Sequence, residues 1–237
     1  MPELQPMIWA RLTEQGRGPA RTLDRRRIVE AAIAIADSEG LEAVSMRRIG
    51  AQLNHSAMSL YRHVGNKTDL FELMYDEVLG ELDLSGEGGG WRTRLTELTR
   101  GYRRLHLRHP WIIGLGYRPT FGPNFRNVME YALACVGDLG LPIGRMVDLA
   151  LTPLQFARGF VQEELAEVED QRRTGLDEAA WRRHTAPAIL ELIDSGDYPT
   201  LRRVLTETDT PPDSDATFED RLTMIMDGMA AALSPHE

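Results

Sequence analysis

Apolar residues recur with helical spacing from about residue 24 onward. Ile28, Ala31, Ala32, Ile35 and Ala36 fall at i, i+3, i+4, i+7 and i+8, the stripe of one buried helix face, and Gly40 supplies the stop. Ser45 is a good N-cap for a second short helix with Met46, Ile49, Gly50 and Leu53 on one side. Asn54, at ease in the left-handed region, marks a tight turn of four residues. Ser56 then caps a third helix whose inner stripe is Ala57, Leu60, Tyr61 and Val64, closed by Gly65-Asn66. Asn66 caps a fourth helix carrying Leu70, Phe71, Met74, Val78 and Leu82, with Asp69 in its first turn where the helix dipole favours an anion.

Ser85-Gly86-Glu87-Gly88-Gly89-Gly90 reads as a linker. Beyond it the pattern predicts helices near 91–108, 124–139, 144–173, 177–195 and 217–233, with shorter pieces at 110–115 and 199–207. Pro153 is expected to bend or interrupt the long one. Thr208 to Ala216 reads as a polar loop, and no alternating stretch reads as a strand. The fold class is therefore all-α. Residues 1–21, with Pro2, Pro6, Gly16, Gly18 and Pro19 and no periodicity, read as a flexible arm, basic toward its end at Arg11, Arg17 and Arg21. Three domains follow: the arm (1–21), a helix-turn-helix domain (22–84) and a helical body (91–234).

The overall charge of -9 argues against a nucleic-acid partner until it is divided. Residues 1–67 hold 10 Lys/Arg against 7 Asp/Glu, whereas 68–237 hold 17 against 29. A basic front on an acidic body assigns any polyanion to the front. Lys67 is the only lysine beside 26 arginines. One cysteine, Cys135, excludes an internal disulfide and any Cys-pair zinc site. No apolar run reaches the ~20 residues of a membrane span, and the first residues lack a secretory layout, so a cytoplasmic setting is expected.

Three short helices in 45 residues, the second and third joined by a tight turn, are the layout of a helix-turn-helix. Such a motif needs small residues where the helices cross, and Gly50 and Ala57 supply them. Met58, Ser59 and Arg62 fall on the outer face of the third helix, where they would meet base edges. Arg47 and Arg48 stand early on the second, within reach of phosphate. A generic three-helix core would show the same inner stripe.

The runs Arg26-Arg27-Ile28-Val29-Glu30-Ala31-Ala32, Glu39 to Ile49 and Leu60-Tyr61-Arg62-His63-Val64-Gly65-Asn66-Lys67-Thr68-Asp69-Leu70 resemble the DNA-binding domain of the TetR family of bacterial repressors. The likeness runs almost without gaps over 24–82, with Asn54 where the family most often has glycine. It implies that Tyr61 and Lys67 hold phosphates while the outer face of the third helix reads bases. The expected DNA-contacting set is Ser45, Arg47, Arg48, Ala57, Met58, Ser59, Tyr61, Arg62, His63 and Lys67. Tyr61 is expected to pack its ring inward and place its hydroxyl on phosphate.

Residues 91–233 resemble, more loosely, the tetracycline-repressor type of C-terminal domain, with Gly116-Tyr117-Arg118-Pro119-Thr120 matching a loop that borders the inducer cavity. The resemblance implies an internal effector cavity and a dimer formed by two helices from each subunit. Gly114 stands where tetracycline repressors carry a metal-coordinating histidine, so no tetracycline–magnesium site is expected. Candidate cavity residues are Leu98, Tyr102, Leu105, His106, Trp111, Tyr117, Arg118, Phe125, Met129, Phe156 and Phe160. The wide stripe Phe218, Leu222, Ile225, Met226, Met229 and Leu233, with Leu154 and Val161, is the expected dimer interface, or else intramolecular core.

His106 and His109 lack a carboxylate or cysteine at ligand spacing, so neither metal nor cofactor is expected. No nucleophile elbow, phosphate loop or zinc-protease motif is present. These expectations describe a homodimeric repressor released from a palindromic operator by a small effector. The alternatives are an activator on the same fold, and an all-α enzyme or sequestering protein whose front domain mediates contacts.

Overall fold

The computed structural model describes residues 8–9, 24–86, 88–115, 121–193, 196–207 and 213–233. They are helical, with no strand among the described residues, and the chain divides into two compact units, Met1–Arg158 and Gly159–Glu237.

The first unit begins, after the described pair Ile8 and Trp9, with α1 (Arg25–Glu39). Asp24 caps it by accepting from the Arg27 amide at 2.9 Å, and Gly40, at φ 85°, ends it. Its buried face is Ile28, Val29, Ala31, Ala32, Ile35 and Ala36. A 3-10 turn (Leu41–Ala43) leads to α2 (Met46–Leu53), capped by Ser45 through the Arg48 amide. Asn54 closes α2 at φ 58°, ψ 41°, in the left-handed well expected of it. Three residues, one fewer than expected, then separate α2 from α3 (Ala57–Tyr61), capped by Ser56 through the Ser59 amide. A Cβ on Gly50 would stand 2.6 Å from the His55 carbonyl oxygen, so the crossing of the two helices requires glycine there.

The fourth helix, α4 (Lys67–Leu79), is capped by Asn66 and buries Leu70, Leu73, Met74, Val78 and Leu79. The glycine-rich run lies within this unit, ahead of α5 (Trp91–Arg108). A 3-10 turn (Pro110–Gly114), α6 (Pro123–Cys135), a second 3-10 turn (Gly137–Leu139) and the first half of α7 (Ile143–Thr174) complete it. Pro153 lies inside α7, and the helix runs through it without interruption.

Two carboxylates, the exposed Asp37 and the buried Asp76, fasten α1 and α4 to later segments of the unit. Asp37 Oδ1 accepts from Trp111 Nε1 at 2.7 Å and lies 2.7 Å from His109 Nδ1, while His109 Nε2 lies 3.2 Å from Glu81. Asp76 accepts from the Asn124 and Phe125 amides at 3.2 and 2.9 Å, capping α6 from a distance because Gly122 has no side chain to do so. A Cβ at Gly122 would collide with the Asp76 carboxylate and the Trp9 ring. Burial raises the Asp76 carboxyl above its ordinary range, against the pull of the two amides.

Ile8 and Trp9 correct part of the expectation for the arm. Both are helical, and Ile8 is buried. Apolar area taken from water secures this pair, and the rest of the arm lies outside the described residues.

The second unit holds the end of α7, α8 (Glu178–Leu192), α9 (Pro199–Glu207) and α10 (Ser214–Leu233). Phe160 of α7 meets Phe218 of α10 edge to face at 5.3 Å, with the Arg221 guanidinium over the Phe160 ring. Phe218, Leu222, Met226 and Val161 are each at most 1% exposed, and Leu154 and Met229 are 7% exposed, all in the single chain. This corrects the expected interface: those six side chains are intramolecular core, leaving only Ile225 and Leu233 of that set half-open. The outward face of α10 is instead Met224, 71% exposed, with Gly228 and Ala231 one and two turns on.

Candidate nucleic-acid interface

The caps on α2 and α3 set which side chains face outward. Leu60 and Val64 are fully buried and hold α3 down, while Met58 on the opposite face is 77% exposed. A methionine left in water on a short, doubly anchored helix has no packing role in the single chain. Ser59 Oγ donates to the Ser56 carbonyl at 2.6 Å, so its proton is engaged and it offers acceptor lone pairs outward. Arg62, at the end of α3, is exposed and forms no ion pair among the described residues, and the same holds for Arg47 on α2.

Arg48 differs. Its guanidinium is paired with Glu39 at 2.6 Å and also reaches Gln52, so its charge is already partly answered. Lys67 opens α4 with its ammonium 5.2 Å from the Phe71 ring centre. That contact steadies the side chain without neutralising it. Ser45 is spent as a cap but exposed, Ala57 is half-buried against the turn, and His63 is half-buried.

Tyr61 departs from expectation. Its ring is 47% exposed, so it is not packed inward. Leu60 and Val64 already fill the inner face, which rotates Tyr61 toward the outer rim. Arg25 was not foreseen: its Nε donates to the His63 carbonyl at 3.1 Å, tying the end of α3 to the start of α1, and burial lowers its pKa. An arginine at a helix start carries no sequence signal for that role.

The effector candidates in the first unit scatter. Leu98, Leu105, His106 and Trp111 are buried; Tyr102, Phe125, Met129 and Phe156 are half-buried. Tyr102 and His106 stack at 4.2 Å between ring centres. Trp111 is a correction, because its indole N–H is spent on Asp37 and the residue serves as a fastener to α1. Phe125 lies edge-on to Phe121 at 5.5 Å, its amide held by Asp76. Phe160 belongs to the second unit, against Phe218. Tyr117 and Arg118 lie outside the described residues. No group of three or more metal-ligating side chains occurs among the described residues.

A capped helix-turn-helix with an outward, uncommitted recognition face, followed by a helical body, defines a DNA-binding regulator. The model for bacterial regulatory proteins of the tetR family matches residues 28–74, and that for the tetracyclin repressor-like C-terminal domain matches residues 84–233. The chain is 36% identical to the HTH-type transcriptional repressor DrrR1 of Streptomyces coeruleorubidus over 94% of its own length and 83% of that protein's. It is 27% identical to the Escherichia coli class E tetracycline repressor over 64% of this chain and 74% of that one. Among solved structures, ActR of Streptomyces coelicolor in complex with (S)-DNPA superposes with a TM-score of 0.74 at 28% identity, covering 90% of this chain and all of that one. ActR in complex with actinorhodin gives 0.71 at 29% identity, over 92% and all.

The chain belongs to the TetR family. It is a DNA-binding transcriptional regulator with a C-terminal ligand-binding domain, in a family where dimers and release from the operator are typical. No helix among the described residues is long and apolar enough to cross a membrane.

Proposed function

We propose that this chain is a cytoplasmic, homodimeric repressor that leaves a palindromic operator when a small organic effector enters its C-terminal domain. Residues 22–84 form the reading head, residues 91–234 the effector and dimerisation body, and the arm adds contacts to the DNA. The observation that carries the reading is the exposed Met58 and Arg62, the latter without an ion pair among the described residues, on a segment held down by the fully buried Leu60 and Val64. Each subunit sets α3 in a major groove with Met58, Ser59 and Arg62 on base edges. Arg47, Tyr61 and Lys67 take phosphates, and Ser45, Arg48, Ala57 and His63 border them.

Two subunits place their α3 helices in successive grooves, about 34–36 Å apart. The exposed Met224, Gly228 and Ala231, with the half-buried Ile225 at their edge, form the α10 face that meets the partner, while Leu233 lies on the opposite, core side of the helix. At Gly228 nothing stands within 4 Å of where a Cβ would be, so the glycine answers no steric demand in the single chain. A close-approaching partner helix gives it one. The effector needs no metal or cofactor and is not turned over, in keeping with relatives that are regulators.

A gel shift with the DNA upstream of the chain's own gene tests this. One retarded complex of dimer stoichiometry over a palindrome is expected. Failure to bind any palindrome there, together with turnover of a small molecule, contradicts it.

A further inference from the structure

His106 is a buried group whose chemistry the fold leaves unfinished. It sits on α5 one turn after Tyr102, fully excluded from solvent, with Nδ1 2.8 Å from the Tyr102 carbonyl oxygen. A carbonyl only accepts, so Nδ1 carries the proton, and in a neutral ring Nε2 is then a bare lone pair. That Nε2 has no hydrogen-bond partner among the described residues. Burial, helped by the positive field of Arg158, lowers the ring's pKa to about 4, so protonation does not dispose of the lone pair near neutral pH. Unsatisfied buried acceptors are rare in native interiors and call for an occupant.

The surroundings narrow what that occupant is. The Tyr102 ring lies tilted at 48° against His106, and its hydroxyl shares a hydrogen bond with Tyr75 of α4. Arg158 of α7, whose guanidinium reaches the Ile113 carbonyl at 3.4 Å, acts electrostatically on both Tyr75 and His106. A lone-pair acceptor beside the Tyr102 ring suits an O–H donor carried on a flat ring that can lie against that face. The nearby guanidinium favours an oxygen-rich molecule and repels a cationic one.

We propose that His106 Nε2 is the polar anchor of the effector site, accepting a hydrogen bond from a hydroxyl of a flat hydroxylated aromatic whose other oxygens face Arg158. This rests on the effector-release reading above. A histidine kept for this purpose contributes little to the fold, because half of its bonding capacity is idle in the free protein.

The test uses the full chain on its labelled operator, with alizarin and actinorhodin as hydroxylated probes and 1,2-dimethoxyanthraquinone as the match to alizarin without an O–H. Alizarin is expected to release the wild type at a concentration at least 10-fold below that of the dimethyl ether. His106→Leu should bind operator and melt as the wild type does, yet need at least 10-fold more alizarin. His106→Gln, whose amide oxygen still accepts, should recover most of the loss. Direct titration of DNA-free protein reads the same contrasts if release is not seen. Equal potency on wild type and His106→Leu, equal potency of the two anthraquinones, or no binding of either hydroxylated probe overturns the proposal. If both compounds release both variants equally, the effector-release reading stands without the anchor. If the wild type binds no operator while His106→Leu still weakens alizarin binding, the anchor stands and the repressor reading fails.

Discussion

Lys67 and Arg48 are both basic residues at the edge of the reading face, and the structure assigns them different effects on DNA binding. Among the described residues the Lys67 ammonium meets the Phe71 ring and no carboxylate, whereas the Arg48 guanidinium is already engaged by Glu39 at 2.6 Å. A cation on a phosphate displaces condensed counterions, adding about 0.9 to the slope of log affinity against log salt. With one Lys67 in each of two subunits, Lys67→Ala should flatten that slope by about 1.8. Between 50 and 200 mM salt the wild type then loses about 12-fold more affinity than the variant. Arg48→Ala removes a charge that Glu39 has largely answered and should change the slope by well under half as much. Fluorescence anisotropy on one operator duplex at four salt concentrations resolves the difference. An unchanged slope for Lys67→Ala, or a larger change for Arg48→Ala, removes Lys67 from the phosphate-binding set.

Asp37→Ala strands the buried N–H donors of His109 and Trp111 and should cost about 2–4 kcal/mol in urea unfolding; a cost near zero shows that the fastener is idle. Gly50→Ala drives a Cβ against the His55 carbonyl, an overpacking cost of about 1–3 kcal/mol set against about 1 kcal/mol of gained helix propensity. Net destabilisation with weaker operator binding is expected, and a stabilised variant shows that the turn can give way. His106 has a folded-state pKa of about 4, below the ordinary 6.5, so the unfolded chain takes the proton first on acidification. The ring imposes no penalty above pH 6.5, where wild type and His106→Leu melt alike, and acidification from pH 6.5 to 4 destabilises the wild type by up to about 3 kcal/mol. Urea midpoints of wild type and His106→Leu should therefore diverge across that window, and parallel curves contradict the burial argument.

Local rules placed most of the helices. Asp24, Ser45, Ser56 and Asn66 all cap as their side chains allow, and Asn54 takes the left-handed turn, because capping involves only neighbours in the chain. The bounds 91–108 and 199–207 also agree with the expected ones, set by local helical periodicity rather than by a side-chain cap. What escaped was which neighbour an apolar face meets. The Phe218, Leu222 and Met226 stripe is expected against a partner, with its own subunit as the alternative, and it is buried at home. Tyr61 was misplaced because periodicity assigns faces in steps of 100°, too coarse at the rim of a five-residue helix. Asp76 is an anion on an apolar stripe, a visible oddity, but its partners lie 48 and 49 residues away and have no signature in the sequence. The outward face of α3 was legible because it needs only the inner stripe and the caps.

Selection of bound duplexes from a pool randomised across one half-site, run in parallel for wild type, Met58→Ala and Arg62→Ala, tests whether that face reads bases. Arg62→Ala should relax the preference at one guanine by about 1–3 kcal/mol. Met58→Ala should relax it at one thymine, whose methyl group the thioether covers. Both should bind a non-specific duplex as the wild type does. If all three proteins select the same half-site with the same stringency, the reading surface lies elsewhere on the molecule.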